Sequence, residues 1–296
     1  MPERPPAPAA GERQGPVVIL AGGGAVPAIV AAAAERAGRA ALILGLEGES
    51  DPAIAAFRHV WVKWGELGRM DKLIREHGAT EIVLVGTIGK RPDFRSISLD
   101  ALALKSLPRL AGITLGGDDT VLAKAVRFFE GLGHRVVGAH EIAPELVAGA
   151  SPLTRRTPSK SDREDIALAM RAALAIGELD AGQGAVAVDR RVVALEGAEG
   201  TDGMLARVAE LRTIGRVSSN GRAGVLAKCA RPRQDLRVDM PTIGPKTVER
   251  AAAAGLAGIA VEAGRVMIVE RETAVRLANE AGLFIVGEQA VVAPEP

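Results

Sequence analysis

PVVILAGGGAVPAIVAAAAERAG, residues 16–38, carries the reading that decides the fold. PVVILA is a short, wholly apolar run stopped by Gly22, Gly23 and Gly24, the pattern of a strand buried on both faces. AVPAIVAAAAERAG then reads as a helix, with Pro27 near its start and Gly38 at its close. A buried strand, a glycine turn and a helix in that order open a parallel α/β unit.

Working outward, AALILGL is a second strand, HVWVKW a third and EIVLVGTI a fourth, with the helical segment GELGRMDKLIREHG before the fourth. Residues 118–131 place Val121, Leu122, Ala125, Val126 and Phe129 on one helical face. HRVVGAH supplies a fifth strand. The expectation is a Rossmann-like parallel-sheet domain over residues 16–150, preceded by a disordered leader over 1–15 that lacks the order of a signal peptide.

SPLTRRTPSKSD, residues 151–162, is rich in Pro, Ser and charge without apolar period, and is read as a linker. Beyond it, residues 163–290 follow a different grammar. A helix over DREDIALAMRAALAIG precedes GAVAVDRRVVALE, two strands about a tight Asp189–Arg190 turn. A helix with Met204, Leu205, Val208 and Leu211 as its buried stripe comes next, then the strand GVLAKCA. GIAVEAGRVMIVE reads as a second hairpin turning at Ala263–Gly264. The helix ETAVRLANEAG and the strand LFIVGE complete a C-terminal α/β domain with a mixed sheet.

The chain has 296 residues, 48 % hydrophobic and 25 % charged, which is a soluble globular balance. With 37 basic and 36 acidic residues, net charge +1, and 2 % aromatics, it lacks both the basic excess and the stacking platforms of a nucleic-acid binder. Cys229 is the single cysteine, which fits a reducing cytoplasm and excludes a thiolate zinc cluster. No run approaches the roughly 20 apolar residues that span a bilayer.

Four stretches bear on chemistry. The glycine turn Gly22–Gly24 either offers backbone N–H groups to a phosphate or is a bare βα turn; its spacing meets neither named phosphate-binding fingerprint. GGDD, residues 116–119, is explained by Asp118 or Asp119 capping a helix. EGAEGTD, residues 196–202, either caps the next helix or presents Glu199, Gly200, Thr201 and Asp202 to a ligand.

The fourth is KCARPRQDLRVDMPTIGP, residues 228–245, dense in charge and bracketed by Pro232 and Pro241. If QDLRVDM is extended, Asp235, Arg237 and Asp239 share one face. That row is either a surface ion-pair ladder of little energetic weight or a site. Carboxylates are the ligands Mg²⁺ selects, usually one or two beside phosphate oxygens, and Lys228 and Arg237 suit a phosphate's charge. Thr242, Gly244 and Lys246 follow at another glycine turn.

The strings PVVILAGGGAVP, LGGDDT, VVGAHEIAPELVA, SPLTRR, AEGTDGMLARVAELR, LAKCARPRQDLRVDMPTIGPKTVE and GLAGIAVEAGRVMIVER, in that order from Pro16 to Gly287, resemble the LpxI family of UDP-2,3-diacylglucosamine pyrophosphatases. The resemblance implies a lipid A biosynthesis enzyme of Gram-negative bacteria. Such an enzyme hydrolyses UDP-2,3-diacylglucosamine with Mg²⁺ to UMP and 2,3-diacylglucosamine 1-phosphate (lipid X). It further implies two α/β domains with the lipid product held between them, and an essential aspartate in the C-terminal one, which we place at Asp235 first and Asp239 second. Our own expectation for the roles is that Asp235 and Asp239 hold Mg²⁺, or that one holds it while the other orients water. Lys228 and Arg237 would bind the diphosphate, and Gly22–Gly24, the loop from Glu196 to Asp202 with Glu199, Gly200, Thr201 and Asp202, and Thr242 and Gly244 would contact substrate. A cytoplasmic enzyme in peripheral contact with the inner membrane is expected, with Met204, Leu205 and Met240 lining an acyl crevice. Two other classes stay open: a nicotinamide-dependent oxidoreductase, with Glu47 or Glu49 as its ribose-binding acid, and a non-catalytic nucleotide-sugar-binding protein.

Overall fold

The structure is a computed structural model, and it describes residues 15–79, 81–89, 99–110, 118–217 and 221–289. Residues 1–14 of the expected leader therefore lie outside the described residues, as do Gly116, Gly117 and the side chains of Asp118 and Asp119. The chain forms two compact units that divide between Ala143 and Pro144.

The first unit runs β1 (Val17–Ala21), α1 (Val26–Arg36), β2 (Ala41–Leu46), β3 (His59–Val62), α2 (Leu67–Glu76), β4 (Glu81–Val85), α3 (Ala101–Leu110), α4 (Asp118–Gly131), β5 (Arg135–Val137) and α5 (Ala139–Ile142). Its five strands are all parallel, in the order β3-β2-β1-β4-β5. Val17, Val18, Ile19, Ile43, Leu44, Ile82 and Val83 have no exposed surface, so the apolar runs mark buried strands as read. The helix α3 falls in a stretch to which the apolar pattern assigns no element, and it contains Pro108.

The strand order reverses between β1 and β4, the usual ligand position in such sheets. There the glycines do structural work. Gly22 and Gly86 approach so closely that a Cβ on Gly22 would stand 2.5 Å from the Thr87 carbonyl oxygen. The approach lets Gly22 N–H donate to Val85 O (2.8 Å) and Gly23 N–H to Thr87 O (2.7 Å).

The second unit comprises α6 (Lys160–Glu178), β6 (Gly184–Val188), β7 (Arg191–Leu195), α7 (Gly200–Thr213), β8 (Val225–Lys228), β9 (Thr242–Ile243), α8 (Pro245–Ala253), β10 (Gly258–Glu262), β11 (Met267–Ile268), α9 (Arg271–Glu280) and β12 (Phe284–Glu288). Its main sheet has the order β12-β10-β8-β6-β7. β8, β10 and β12 run parallel, while β6 is antiparallel to both β7 and β8, so the sheet is mixed as expected. Residues alternate between the two faces. Ala185, Ala187, Val225, Ala227, Ala260 and Phe284 pack with Ile166 and Met170 of α6. Val186, Val188, Leu226, Ile259, Val261 and Ile285 pack with Met204 and Leu205 of α7, Val248 of α8 and Ala274 of α9.

The β6–β7 hairpin turns at Asp189 (φ 50°) and Arg190 (φ 62°), as the sequence indicates. The second expected hairpin does not form. β11 pairs with β9 in a separate two-stranded parallel sheet, and β10 lies between β8 and β12. The apolar run that would return beside β10 instead extends across 266–268, where Met267 N–H bonds Pro241 O. Within residues 151–162, Leu153 N–H bonds Ile285 O, Ile285 N–H bonds the Thr154 hydroxyl, and Ser159 caps α6.

Candidate functional site

In the second unit the carboxyl ends of β8, β10 and β12 lie along one edge, together with the start of β6 and the end of β7. Lys228 pairs with Gly184 and Val261, Glu262 pairs with Glu288, and Glu196 N–H bonds Gly184 O. Ligands of α/β sheets bind at such an edge.

Lys228 ends β8 and is 7 % exposed. Its ammonium donates to the Thr201 hydroxyl at 2.8 Å, and that hydroxyl donates to Glu196 Oε1 at 2.9 Å. Burial pushes the Lys228 ammonium below its ordinary pKa, while the charges of Glu196, Asp202 and Asp239 act the other way. Thr201 and Asp202 belong to the first turn of α7, and Asp202 is held by Lys246 of α8 at 2.5 Å.

The stretch after β8 is not extended. Val238 N–H and Asp239 N–H both bond Asp235 O, at 3.1 and 3.0 Å, so Asp235 and Asp239 bound a single helical turn. The physical reason lies in Asp235 itself. Its Oδ1 accepts the Arg237 backbone N–H at 3.1 Å, an Asx turn that competes with strand pairing. The same carboxylate takes Arg237 Nε and a terminal guanidinium nitrogen, at 2.9 and 2.6 Å. Asp239 accepts from Arg231 (2.7 Å) and Gln234 (2.6 Å), both on Oδ2. The Asp235 and Asp239 side chains are 32 % and 31 % exposed, so neither is a free surface carboxylate.

The folding of this turn thus corrects the expected one-faced row of Asp235, Arg237 and Asp239, but it keeps both carboxylates within one turn. Two residues to which no role was given support Asp239: Arg231, which also pairs with Asp180 at 2.7 Å, and Gln234. Nearby, Glu262 Oε2 accepts Ala230 N–H at 2.8 Å, and Glu196, at the start of the 196–202 loop, accepts from Thr201. Arg231 and Gln234 were legible as part of the charged stretch. Glu262 had no local signal, since it simply ends a strand, whereas Glu196 opens the 196–202 loop that the sequence singles out.

Among the described residues no three His, Cys, Asp or Glu side chains converge as a cation cage. The donor set still fits Mg²⁺ in the form that leaves most positions to phosphate and water. Asp239 satisfies its partners through one oxygen, whereas Asp235 engages both of its oxygens with Arg237. Asp239 is therefore the readier ligand.

Other expected residues have different places. Glu199 pairs with Arg207 on the surface, at 3.1 Å. Gly200 has φ +70°, opening α7. Thr242 bonds Met240 O, and Gly244 caps α8. Met204 and Leu205 are fully buried in the core of the second unit, and Met240 is 8 % exposed. In the first unit, Gly22 and Gly23 spend on the sheet the N–H groups assigned to phosphate. Glu49, the candidate ribose-binding acid, accepts Gly89 N–H at 2.6 Å.

Two comparisons bear on identity. Residues 16–146 match the LpxI N-terminal domain, and residues 149–286 match the LpxI C-terminal domain. The UDP-2,3-diacylglucosamine pyrophosphatase LpxI of Caulobacter vibrioides is 42 % identical over 269 residues, covering 91 % of this chain and 96 % of that protein. Matched in both halves and along nearly its whole length, the chain belongs to the LpxI family.

Proposed function

We propose that this chain is a UDP-2,3-diacylglucosamine diphosphatase of lipid A biosynthesis. It hydrolyses the phosphoanhydride with Mg²⁺ to UMP and 2,3-diacylglucosamine 1-phosphate. The observation that carries the reading is the 42 % identity with a relative of that name across 91 % of the chain. The chemistry of the second unit is consistent with it. Cations and carboxylates gather at one sheet edge, as needed where a diphosphate is bound and cleaved.

In this reading Lys228 and Arg237 bind the diphosphate oxygens. Asp239 and Asp235 hold the cation, or one of them holds it while the other orients the attacking water. Bound Mg²⁺ would neutralise charge on the phosphoryl oxygens. Water adds to one phosphorus, the bridging P–O bond breaks, and its electron pair leaves on the departing phosphate. The first turn of α7, with Thr201 and Asp202, faces the same group or the sugar. A substrate with two acyl chains is met at the inner membrane surface. Among the described residues no helix is long and apolar enough to cross a membrane.

The test is incubation of the purified protein with the diacylated UDP-sugar and Mg²⁺ in ¹⁸O-labelled water. UMP and the sugar 1-phosphate are the expected products, one of them carrying a single label. Asp239→Ala and Asp235→Ala should each lose roughly 100-fold or more in kcat. Near-normal turnover by both variants would remove these carboxylates from the mechanism, and absence of UMP from the wild type would end the functional reading.

A further inference from the structure

Glu196 follows β7, and its side chain enters the second unit where Gly184 leaves room. A Cβ on Gly184 would stand 2.5 Å from Glu196 Oε2. The residue is 8 % exposed, and Oε2 accepts no hydrogen bond among the described residues. A buried carboxylate oxygen without a donor is unfavourable and calls for a compensating charge nearby.

The direction of the chain through Thr201 is fixed by chemistry. An ammonium only donates and a carboxylate only accepts, so the one hydroxyl proton of Thr201 goes to Glu196 while its lone pair receives Lys228. Three acids act on the Lys228 charge: Glu196 from the end of β7, Asp202 from α7 and Asp239 from the helical turn. Two of these already have cations of their own, since Lys246 holds Asp202 and Arg231 holds Asp239. Glu196 has no such ion pair among the described residues. Its charge is the one left for Lys228.

We propose that Glu196 is the positioning residue of the site, holding the Lys228 ammonium charged and fixed beside the first turn of α7 through the Thr201 hydroxyl. The proposal rests on Lys228 binding the diphosphate, as assigned above. A role confined to packing or to holding Thr201 would survive replacement by glutamine, which keeps an acceptor oxygen for the hydroxyl and loses only the charge.

The test compares wild type with Glu196→Gln, Thr201→Val and Thr201→Ser in the full-length protein. Glu196→Gln should lower kcat/KM about tenfold or more, a loss in the range of a weakened charge-assisted hydrogen bond. It should also move the alkaline limb of the pH profile to lower pH. Thr201→Val should do the same, Thr201→Ser should restore most of the rate, and the double variant should be little worse than either single one. In parallel, the ¹⁵Nζ resonance of Lys228, assigned by its loss in Lys228→Met, is titrated in wild type and Glu196→Gln without substrate. A midpoint displaced to lower pH supports the proposal, and an unchanged midpoint with an unchanged alkaline limb overturns it. Should no variant, wild type included, release UMP, the functional reading fails, and the Nζ titration alone still decides the role of Glu196.

Discussion

The thiol of Cys229 adjoins Lys228 in sequence but lies on the opposite face of the sheet, under α6 with Ile166 and Met170. Burial pushes it up to about 12, with the Glu262 charge acting in the same direction. The native protein should therefore leave Cys229 unreacted with a disulfide reagent such as DTNB at pH 8, with one thiol appearing in guanidinium. Rapid native labelling would contradict the packing. Asp71 behaves differently. Burial raises its carboxyl, but hydrogen bonds and charge from Arg75 and His134 outweigh burial and hold it below the usual carboxylate value. A group depressed in the fold stabilises it above its unfolded value, and that contribution is lost as pH falls through the folded value. Urea unfolding across an acid pH series should show this loss in the wild type and a flatter response in Asp71→Asn.

At the scale of elements, one aspartate organises two helices. Asp100 Oδ2 accepts Gly68 N–H at 2.6 Å in the first turn of α2, and its Oδ1 accepts Ala103 N–H at 2.9 Å in α3. Each such cap is worth about 1 kcal/mol, so Asp100→Ala should lower stability by roughly twice that in a chemical unfolding experiment, beyond an ordinary surface substitution. The strands were readable because apolar runs such as VVILA and ALILGL have no other stable place. The Asp189–Arg190 turn was readable from its flanking strands. Two things were not. The run 258–268 has the composition of a hairpin, and its separation into β10 and β11 depends on a partner, β9, more than ten residues upstream. QDLRVDM alternates like a strand, and only the Asx turn at Asp235 bends it back.

For the molecule as a whole, the candidate site was readable as residue types and not as partners. Lys228, Asp235 and Asp239 stand out by charge in an apolar chain, but the pairing of Asp239 with Arg231 and Gln234 depends on how the stretch folds back on itself, and that of Lys228 with Thr201 joins β8 to a helix distant in sequence. Two consequences for the working enzyme follow under the proposed function. Chelation with EDTA should abolish UMP release, and added Mg²⁺ should restore it. Because burial lowers the Lys228 pKa, activity should fall on the alkaline side earlier than an exposed lysine would dictate, which a pH profile of kcat/KM reads directly. The helical turn between the two aspartates carries one more implication. Adding or deleting a single residue there would swing one carboxylate about 100° round the axis, out of register with its fellow. The segment can vary in composition, but its length is not negotiable.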